Sequence, residues 1–397
     1  MNDITHNIAL SGHFGENNVG DDILLLSLVE NLLITQKVKE LVIFTADVRK
    51  TAALFEREKV CSESIRLIYS GRWGIREQGK PLFKSLCWLI ATVTGLKKAG
   101  LHLIGPGTII KDSNNRFFIL FWLMRALLSY MLRRPFAFIG IGVGCVRFSL
   151  SKFLLRSIAN HAKFITTRDS RSLAQLKSLH VDKPKMASYP DLSFAGISTS
   201  ANMSTGASQI TKVGLNFREF KAKHFSDNTI RIYRDSILTL LHRIPESVEL
   251  VFYSFCNEPH QSDLEMYNKI ITDVGPQNVK IRNFEYENLS ALKDDISTCN
   301  VFVGTRFHSV LLAVQAGVPT IGLSYEQKTV NFMNDAGIGD YALDIGTIKN
   351  EDISRTWDKL IMNNSQYEVQ LKGIAKDHRI LSLKHFEEIS LVLCPRR

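Results

Sequence analysis

The feature that most constrains this chain is a rhythm. Short apolar runs of strand length alternate with segments of helical length, and the pattern is played twice. In the first half it predicts strands at residues 7–10, 41–45, 65–69, 101–104, 136–139 and 164–167, with helices at 21–34, 80–94, 116–132, 150–161 and 170–178. In the second half it predicts strands at 213–217, 249–252, 279–282, 301–303 and 319–322, with helices at 230–244, 263–273, 289–297 and 307–316. Strands separated by helices run parallel, because a helix is the crossover that a parallel pair needs and a tight hairpin cannot supply. The expected fold class is therefore α/β, with parallel sheets covered by helices on both faces. Between the halves lies GISTSANMSTGASQIT, residues 196–211, rich in small polar residues and without periodicity, which reads as a linker. The expected organisation is a first domain at 1–196, a linker at 197–211 and a second domain at 212–397 that ends in helices. Two domains suit a chain of 397 residues, each large enough to bury its own core. Ligands of open α/β sheets bind at the carboxyl ends of the strands, so a cleft between two such edges is expected.

Composition narrows the function classes. Hydrophobic residues at 45% and charged residues at 22% are ordinary for a soluble globular protein and argue against large-scale disorder. The six cysteines are scattered without a C-x-x-C pair, which argues against a zinc site or a disulfide framework and for reduced thiols in the cytoplasm. The opening MNDITHNIALSGHFG has no basic region followed by a long apolar stretch, so no signal peptide is expected. The longest apolar run, FFILFWLMRALLSYML at 117–132, is interrupted by Arg125 and is too short to span a bilayer. The net charge of +10 favours anionic partners. Nucleic acid is not among the expected ones, because the basic residues are scattered and no recognition module is visible.

Candidate chemistry sits where strands end. GHFGENNVGDD, residues 12–22, leaves the first strand and opens a helix; its glycines permit a tight turn and close backbone approach, and Asp21 and Asp22 suit the start of a helix. The structural alternative is a turn with Asp21 as helix cap. GPGTIIKD, residues 105–112, is a second glycine loop, and GIGVG, residues 140–144, a third, without the dinucleotide-binding pattern. In TTRDSRS, Arg168 stands where an anion would meet it, with Asp169 as a cap. The sharpest segment is GTRFHS, residues 304–309. Here Thr305 is placed to cap a helix whose free N–H groups suit phosphate or carboxylate. Arg306 adds a forked donor and His308 a group suited to moving protons near neutral pH. Residues two apart do not share a helix face, so these two converge only if Arg306 precedes the helix proper. After the next strand, Tyr325 offers a ring for a sugar face and Lys328 a cation. His260, in a further strand-end loop, is read as ordinary.

In combination these segments resemble the polysaccharide pyruvyl transferase family. GHFGENNVGDDILLLSLVE looks like its N-terminal G-x-x-x-x-x-N-x-GD block, and IGPGTIIKD resembles its second glycine loop. TTRDSRSLAQL and SYPDLSF resemble its R-D-x-x-S and aspartate segments. GTRFHSVLLAVQAGVPTIGLSYEQKTVNFMNDAGI is similar to its R-x-H helix and the run after it. The likeness runs in the family's order over about residues 7–340, with GPG where the family often has a longer glycine run.

The resemblance implies two Rossmann-like domains facing across a cleft, similar to the GT-B glycosyltransferase architecture. It implies a transferase that moves pyruvate from phosphoenolpyruvate onto a sugar as a ketal. The acceptor would be a bacterial surface polysaccharide or its lipid-linked oligosaccharide precursor, bound on the first domain, with phosphoenolpyruvate on the second. Arg306, His308 and Arg168 would hold phosphoenolpyruvate, and Asn17, Gly20 and Asp21 would line the opposite wall. Thr305, Gly107, Asp22, Tyr325 and Lys328 are further expected contacts. His308, Arg306 and Asp21 are the expected catalytic residues, with Asp21 or Asp22 taking the sugar proton.

Phosphoenolpyruvate would be the donor substrate; no cofactor and no metal are expected, since the arginines would neutralise the phosphate. The apolar segments 82–96 and 117–132, flanked by Lys97, Lys98, Arg133 and Arg134, read as core helices or as a peripheral contact with the inner membrane. The rival enzyme reading is a nucleotide-sugar-dependent glycosyltransferase, with Glu326 as its acidic candidate. The rival outside catalysis is a scaffold in an assembly complex.

Overall fold

The computed structural model describes residues 5–16, 18–70, 81–112, 116–196, 209–222, 224–256, 262–274, 279–283 and 288–394; for 81–87, 116, 274 and 283 it describes the backbone alone. Asn17, His260 and most of the linker lie outside them. Contacts divide the chain into unit 1 (Met1–Glu16, Asp21–Ile197 and His378–Arg397) and unit 2 (Asn17–Gly20 and Ser198–Asp377).

In unit 1 the elements run β1 (His6–Ser11), α1 (Val19–Thr35), β2 (Val38–Thr45), α2 (Val48–Arg57), β3 (Ile65–Tyr69), α3 (Pro81–Leu96) and β4 (Leu101–Ile104). They continue with β5 (Gly107–Ile110), α4 (Arg116–Met131), β6 (Phe136–Val143), α5 (Ser149–Ala159), β7 (Phe164–Thr167), α6 (Ser170–Ser178) and β8 (Lys185–Ser188). The strands are parallel in the order β3-β2-β1-β4-β6-β7-β8, with β5 also on β6. Central β6 is buried along nearly its whole length, as a strand with both faces covered must be.

The sequence reading ends β6 at Ile139 and makes GIGVG a loop; the strand instead continues to Val143. The glycines explain how. Gly140 sits at φ +58, in a register shift against β7, and an added Cβ there would meet Leu192 at 2.6 Å. The second glycine loop likewise holds a strand, β5, with Gly107 at φ +107, open to glycine and strained for other residues.

Arg125, the charge that interrupts the apolar run, is 1% exposed. Its guanidinium lies among the rings of Phe44, Trp88, Phe121 and Trp122 and donates to Ser11 Oγ (2.9 Å) and the Ser70 carbonyl (3.4 Å). Burial pushes its pKa down to about 9. His102 joins the network, bonded to Ser11 Oγ at 2.8 Å and Ser129 Oγ at 2.6 Å.

Unit 2 runs β9 (Lys212–Asn216), α7 (Asp227–Arg243), β10 (Glu249–Ser254), α8 (Asp263–Val274), β11 (Val279–Asn283), α9 (Leu289–Ser297), β12 (Val301–Gly304) and α10 (Phe307–Gln315). It goes on through β13 (Thr320–Ser324), α11 (Gln327–Asp335), β14 (Ala342–Asp344), α12 (Asp352–Met362) and α13 (Asn364–Ser382), which α14 (Lys384–Leu393) follows. The parallel order β11-β10-β9-β12-β13-β14 is the Rossmann order, with its reversal between β9 and β12.

The chain end departs from the expected 212–397 domain, because the last turn of α13 and α14 pack in unit 1. His385 on α14 bonds Thr166 Oγ1 (2.7 Å) and the Pro190 carbonyl (3.0 Å), and Glu388 accepts from the Tyr189 hydroxyl (3.0 Å). Residues 18–20 depart likewise from the expected 1–196 domain: Asn18 bridges Cys256, and the Val19 N–H donates to the Phe255 carbonyl at 3.2 Å.

The two buried histidines make unit 1 acid-sensitive. Burial, helped by the Arg125 charge, lowers His102 to about 3, and burial lowers His385 to about 4. Both titrate near 6.5 when unfolded. Below that pH the unfolded chain takes up protons that the folded chain refuses, so stability is full above about 6.5 and falls as pH drops towards 4. The expected slope is roughly 1.4 kcal/mol per pH unit for each histidine. Urea midpoints at pH 7, 6 and 5 measure it, and His385→Gln should remove one proton's share; an unchanged slope in that variant contradicts the assignment.

Candidate functional site

In a doubly wound sheet the loops leaving the strands at the order reversal part from each other and open a crevice. In unit 2 those loops follow β9 and β12, and they carry Arg218 and the Thr305–Arg306 turn. Asn216, the last residue of β9, ties them together. Its Oδ1 accepts from the Arg306 N–H and from Ser309 Oγ, both at 2.9 Å, and its carbonyl accepts from the Thr305 N–H at 2.8 Å. Thr305 was expected to cap α10. The cap position belongs to Arg306, at φ −78 and ψ 132, and the Thr305 hydroxyl instead meets Tyr233 OH at 3.1 Å.

Arg306 thus precedes the helix proper, which is the condition for it to act with His308. Its side chain has a partner that sequence reasoning missed. Nε and Nη2 both engage the carboxylate of Asp263, at 3.0 and 2.6 Å to Oδ1. Asp263 is fully buried at the start of α8 and also accepts from the Phe255 N–H at 3.0 Å and Asn216 Nδ2 at 3.3 Å. Burial works to lower the Arg306 pKa; the Asp263 charge outweighs it, with smaller help from Tyr325 and Cys256, and holds the guanidinium protonated above its usual range. The fork is therefore fixed in place, and the Asp263 charge weakens its attraction for a second anion.

His308, on the first turn of α10, lies against Gly20. A Cβ on Gly20 would lie 2.0 Å from the imidazole Nδ1, so any larger residue here must displace His308. The Phe307 ring meets the imidazole edge-on at 5.1 Å. The first turn of α10 carries no acidic residue, which leaves its dipole to favour anions. Beyond it, the Arg218 guanidinium lies 4.6 Å from the Tyr325 ring centre, and the Phe220 ring is 5.4 Å from it. The Lys328 ammonium lies 5.7 Å from Tyr325 and pairs with Glu326 at 3.1 Å. Arg218 was also missed, although its place just after a strand was a readable signal. Tyr325, expected as a sugar platform, is already engaged by Arg218 and Phe220.

In unit 1 the reversal lies between β1 and β4, flanked by the Gly12–Glu16 segment and the Gly105 loop. Gly15 turns at φ +73, and His13 stacks on Phe118 at 5.4 Å and meets Trp122 edge-on at 5.0 Å. Asp21 and Asp22 are half-buried in the first turn of α1; the helix begins at Val19, so Asp21 is inside it rather than its cap. Asn18 serves that end, its Oδ1 accepting from the Gly20 N–H at 3.1 Å. Asp169 caps α6 as expected, through the Ser172 N–H. Arg168 is buried: Nη2 donates to Thr108 Oγ1 at 2.6 Å, Nη1 pairs with Asp191 at 3.5 Å, and Gly142 gives it room. That engagement braces β5 against the Asp191 turn.

The fold places the chain in the GT-B structural class. Solved structures of the same fold include a putative UDP-N-acetylglucosamine 2-epimerase from Listeria monocytogenes, 12% identical, TM-score 0.64, covering 98% of this chain and 96% of that one. Sucrose-phosphate synthase from Thermosynechococcus elongatus is 12% identical, TM-score 0.63, covering 98% and 100%. Anabaena HepE in complex with UDP and glucose is 11% identical, TM-score 0.60, covering 98% and 97%. Within that class, a family model described as polysaccharide pyruvyl transferase matches residues 18–327, and the chain belongs to that family. The amylovoran biosynthesis protein AmsJ of Erwinia amylovora is 26% identical over 89 residues, a match spanning 22% of this chain and 21% of that protein.

Proposed function

We propose that this transferase uses phosphoenolpyruvate to set a pyruvate ketal on a sugar of a bacterial surface polysaccharide or its lipid-linked precursor. The observation that carries the reading is the α10 entrance in unit 2: a fixed Arg306 fork, His308 against Gly20, and a helix start without acids. Phosphoenolpyruvate presents a carboxylate and a phosphate, the groups that such a helix start and guanidinium fork receive. Arg218 adds positive charge beside the charge that Asp263 withdraws from Arg306, while Lys328 brings its own partner, Glu326.

In the reaction the methylene carbon gains a proton and the adjacent carbon becomes oxocarbenium-like. One sugar hydroxyl bonds to that carbon, its bond to the phosphate oxygen breaks, and a second hydroxyl closes the ring. Of the two hydroxyl protons, one balances the new methyl group and the other leaves with phosphate. His308 carries a proton at this site, as acid to the methylene carbon or to the departing phosphate. Asp21 or Asp22 is the proposed acceptor of the sugar proton.

Titration calorimetry with phosphoenolpyruvate, set against a panel of nucleotide sugars, tests the donor. Saturable phosphoenolpyruvate binding, weakened at least tenfold in Arg218→Ala, is expected. A response to a nucleotide sugar and none to phosphoenolpyruvate overturns the reading in favour of a glycosyltransferase.

A further inference from the structure

The positive charge of this chain is concentrated. Residues 81–168 contain thirteen Lys and Arg against a single acid, Asp112; Arg125 and Arg168 are buried, which leaves eleven cations for the surface. Asp112 does not soften that surface: it is 1% exposed, and its carboxylate accepts the N–H groups of Arg147 (2.7 Å) and Phe148 (3.1 Å). The stretch spans α3, α4 and α5.

These helices break the usual rule for a surface helix. One side of α4 packs into the core through Ile119, Leu123 and Ala126, where Leu155 and Ile158 of α5 meet it. The opposite side should be polar. It is apolar instead: Phe117, Met124 and Met131, spaced seven apart on one stripe of about 21 Å, are 54%, 45% and 69% exposed. Neighbouring Ile90 on α3 and Phe153 on α5 are 55% and 65% exposed. Cations accompany the stripe. Lys97 and Lys98 follow α3, Arg133 and Arg134 follow α4, and Lys152 and Arg156 lie on α5; among the described residues none of the six is held in an ion pair. Where α4 ends, a depression of about 530 Å³ is lined by Met131, Arg133, Arg134, His161 and Lys163 and by Tyr130, whose ring lies 4.4 Å from that of His161.

We propose that the outer face of α3, α4 and α5 docks on the headgroup layer of an anionic phospholipid bilayer. The methionine and phenylalanine stripe enters the acyl boundary, and the Arg133–Arg134 depression receives a lipid phosphate. No helix among the described residues is long and apolar enough to cross a membrane, so the face lies on the bilayer rather than in it. Charge selects the occupant: two copies of a face this basic repel each other, whereas anionic headgroups attract it. The inference adds a partner to the reading of a lipid-linked acceptor but does not depend on the donor. Its test uses no phosphoenolpyruvate, so the two readings fail separately.

The test is flotation of the full chain with vesicles of phosphatidylcholine alone or mixed with phosphatidylglycerol. The protein is expected to float only with the anionic vesicles and to be released by high salt. Arg133→Gln with Arg134→Gln should lower partitioning roughly 25-fold, about fivefold for each charge removed, and lysine at both positions should keep most of it. Met124→Ser with Met131→Ser should also weaken it while leaving thermal unfolding unchanged, since both side chains face outwards. Equal flotation with neutral vesicles, no flotation at all, or a dimer in sedimentation that Met124→Ser and Met131→Ser dissociate would overturn the proposal.

Discussion

His308→Ala is expected to lower turnover by roughly 10² to 10⁴, the usual range for loss of a positioned proton carrier. Its affinity for phosphoenolpyruvate should change only a few-fold, because the Arg306 fork and the helix start remain. Gly20 supplies the control that separates chemistry from architecture. A methyl group at Gly20 falls 2.0 Å from Nδ1 and 2.8 Å from Cε1, and the atoms nearest to it all belong to His308. No left-handed φ is involved, and the imidazole is the group that Gly20→Ala must displace. Gly20→Ala alone should therefore approach the His308→Ala defect. In the His308→Ala background the space is vacant, and the same substitution should cost almost nothing further. That non-additivity is the signature of one shared element. Single-turnover rates for the four proteins measure it; independent, multiplying losses would show that Gly20 acts elsewhere and that His308 is not the group it shapes.

The architecture was legible where it is written locally. Alternation of apolar runs with helical segments is a short-range pattern, and it places the Thr305–Arg306 turn at the carboxyl end of a strand; the order reversal beside it depends on strand pairing far apart in sequence. Several elements escaped, among them β5, β8, β14, α2 and α11. Strand β5 hides behind Gly105–Pro106, since these turn residues masked the four strand residues that follow. Helix α2 had a readable signal, Asp47 accepting from the Lys50 N–H, but no flanking motif drew attention to it. The return of α14 to unit 1 has no local signal at all, because it rests on His385 reaching Thr166 across 219 residues of chain.

The site divides the same way. Residue types that suit an oxyanion could be read from Gly304–Ser309; where their side chains point could not. Arg125 was visible as an interruption in an apolar run, yet its partners Ser11 and Ser70 are far away in sequence. Arg168 and Arg306 looked alike as strand-end arginines. The structure separates them by their partners: Asp191 and Thr108 bury one into a brace, and Asp263 orients the other beside a helix start.

Arg306 and Asp263 should therefore be inseparable in energy before they are separable in function. Arg306→Ala leaves a carboxylate with no solvent exposure short of its cation, and Asp263→Ala leaves a guanidinium that is 12% exposed without its anion. Each single change is expected to cost about 3–5 kcal/mol of folding stability, because an uncompensated buried charge is worse than none. The double substitution removes both charges and should cost clearly less than the sum, with a coupling of about 1–3 kcal/mol. Arg306→Lys keeps the charge but loses the fork, and it should lie between. Urea unfolding of the set measures this part, and additive losses would mean that the pair is not formed in solution. Repeating the set with saturating phosphoenolpyruvate then isolates the second role. Asp263→Asn keeps the shape of the pair and releases Arg306 from its counter-charge, so phosphoenolpyruvate should stabilise this variant more than the wild type. Equal stabilisation of both would leave Arg306 a structural partner of Asp263, and the donor site would have to rest on Arg218, Lys328 and the start of α10.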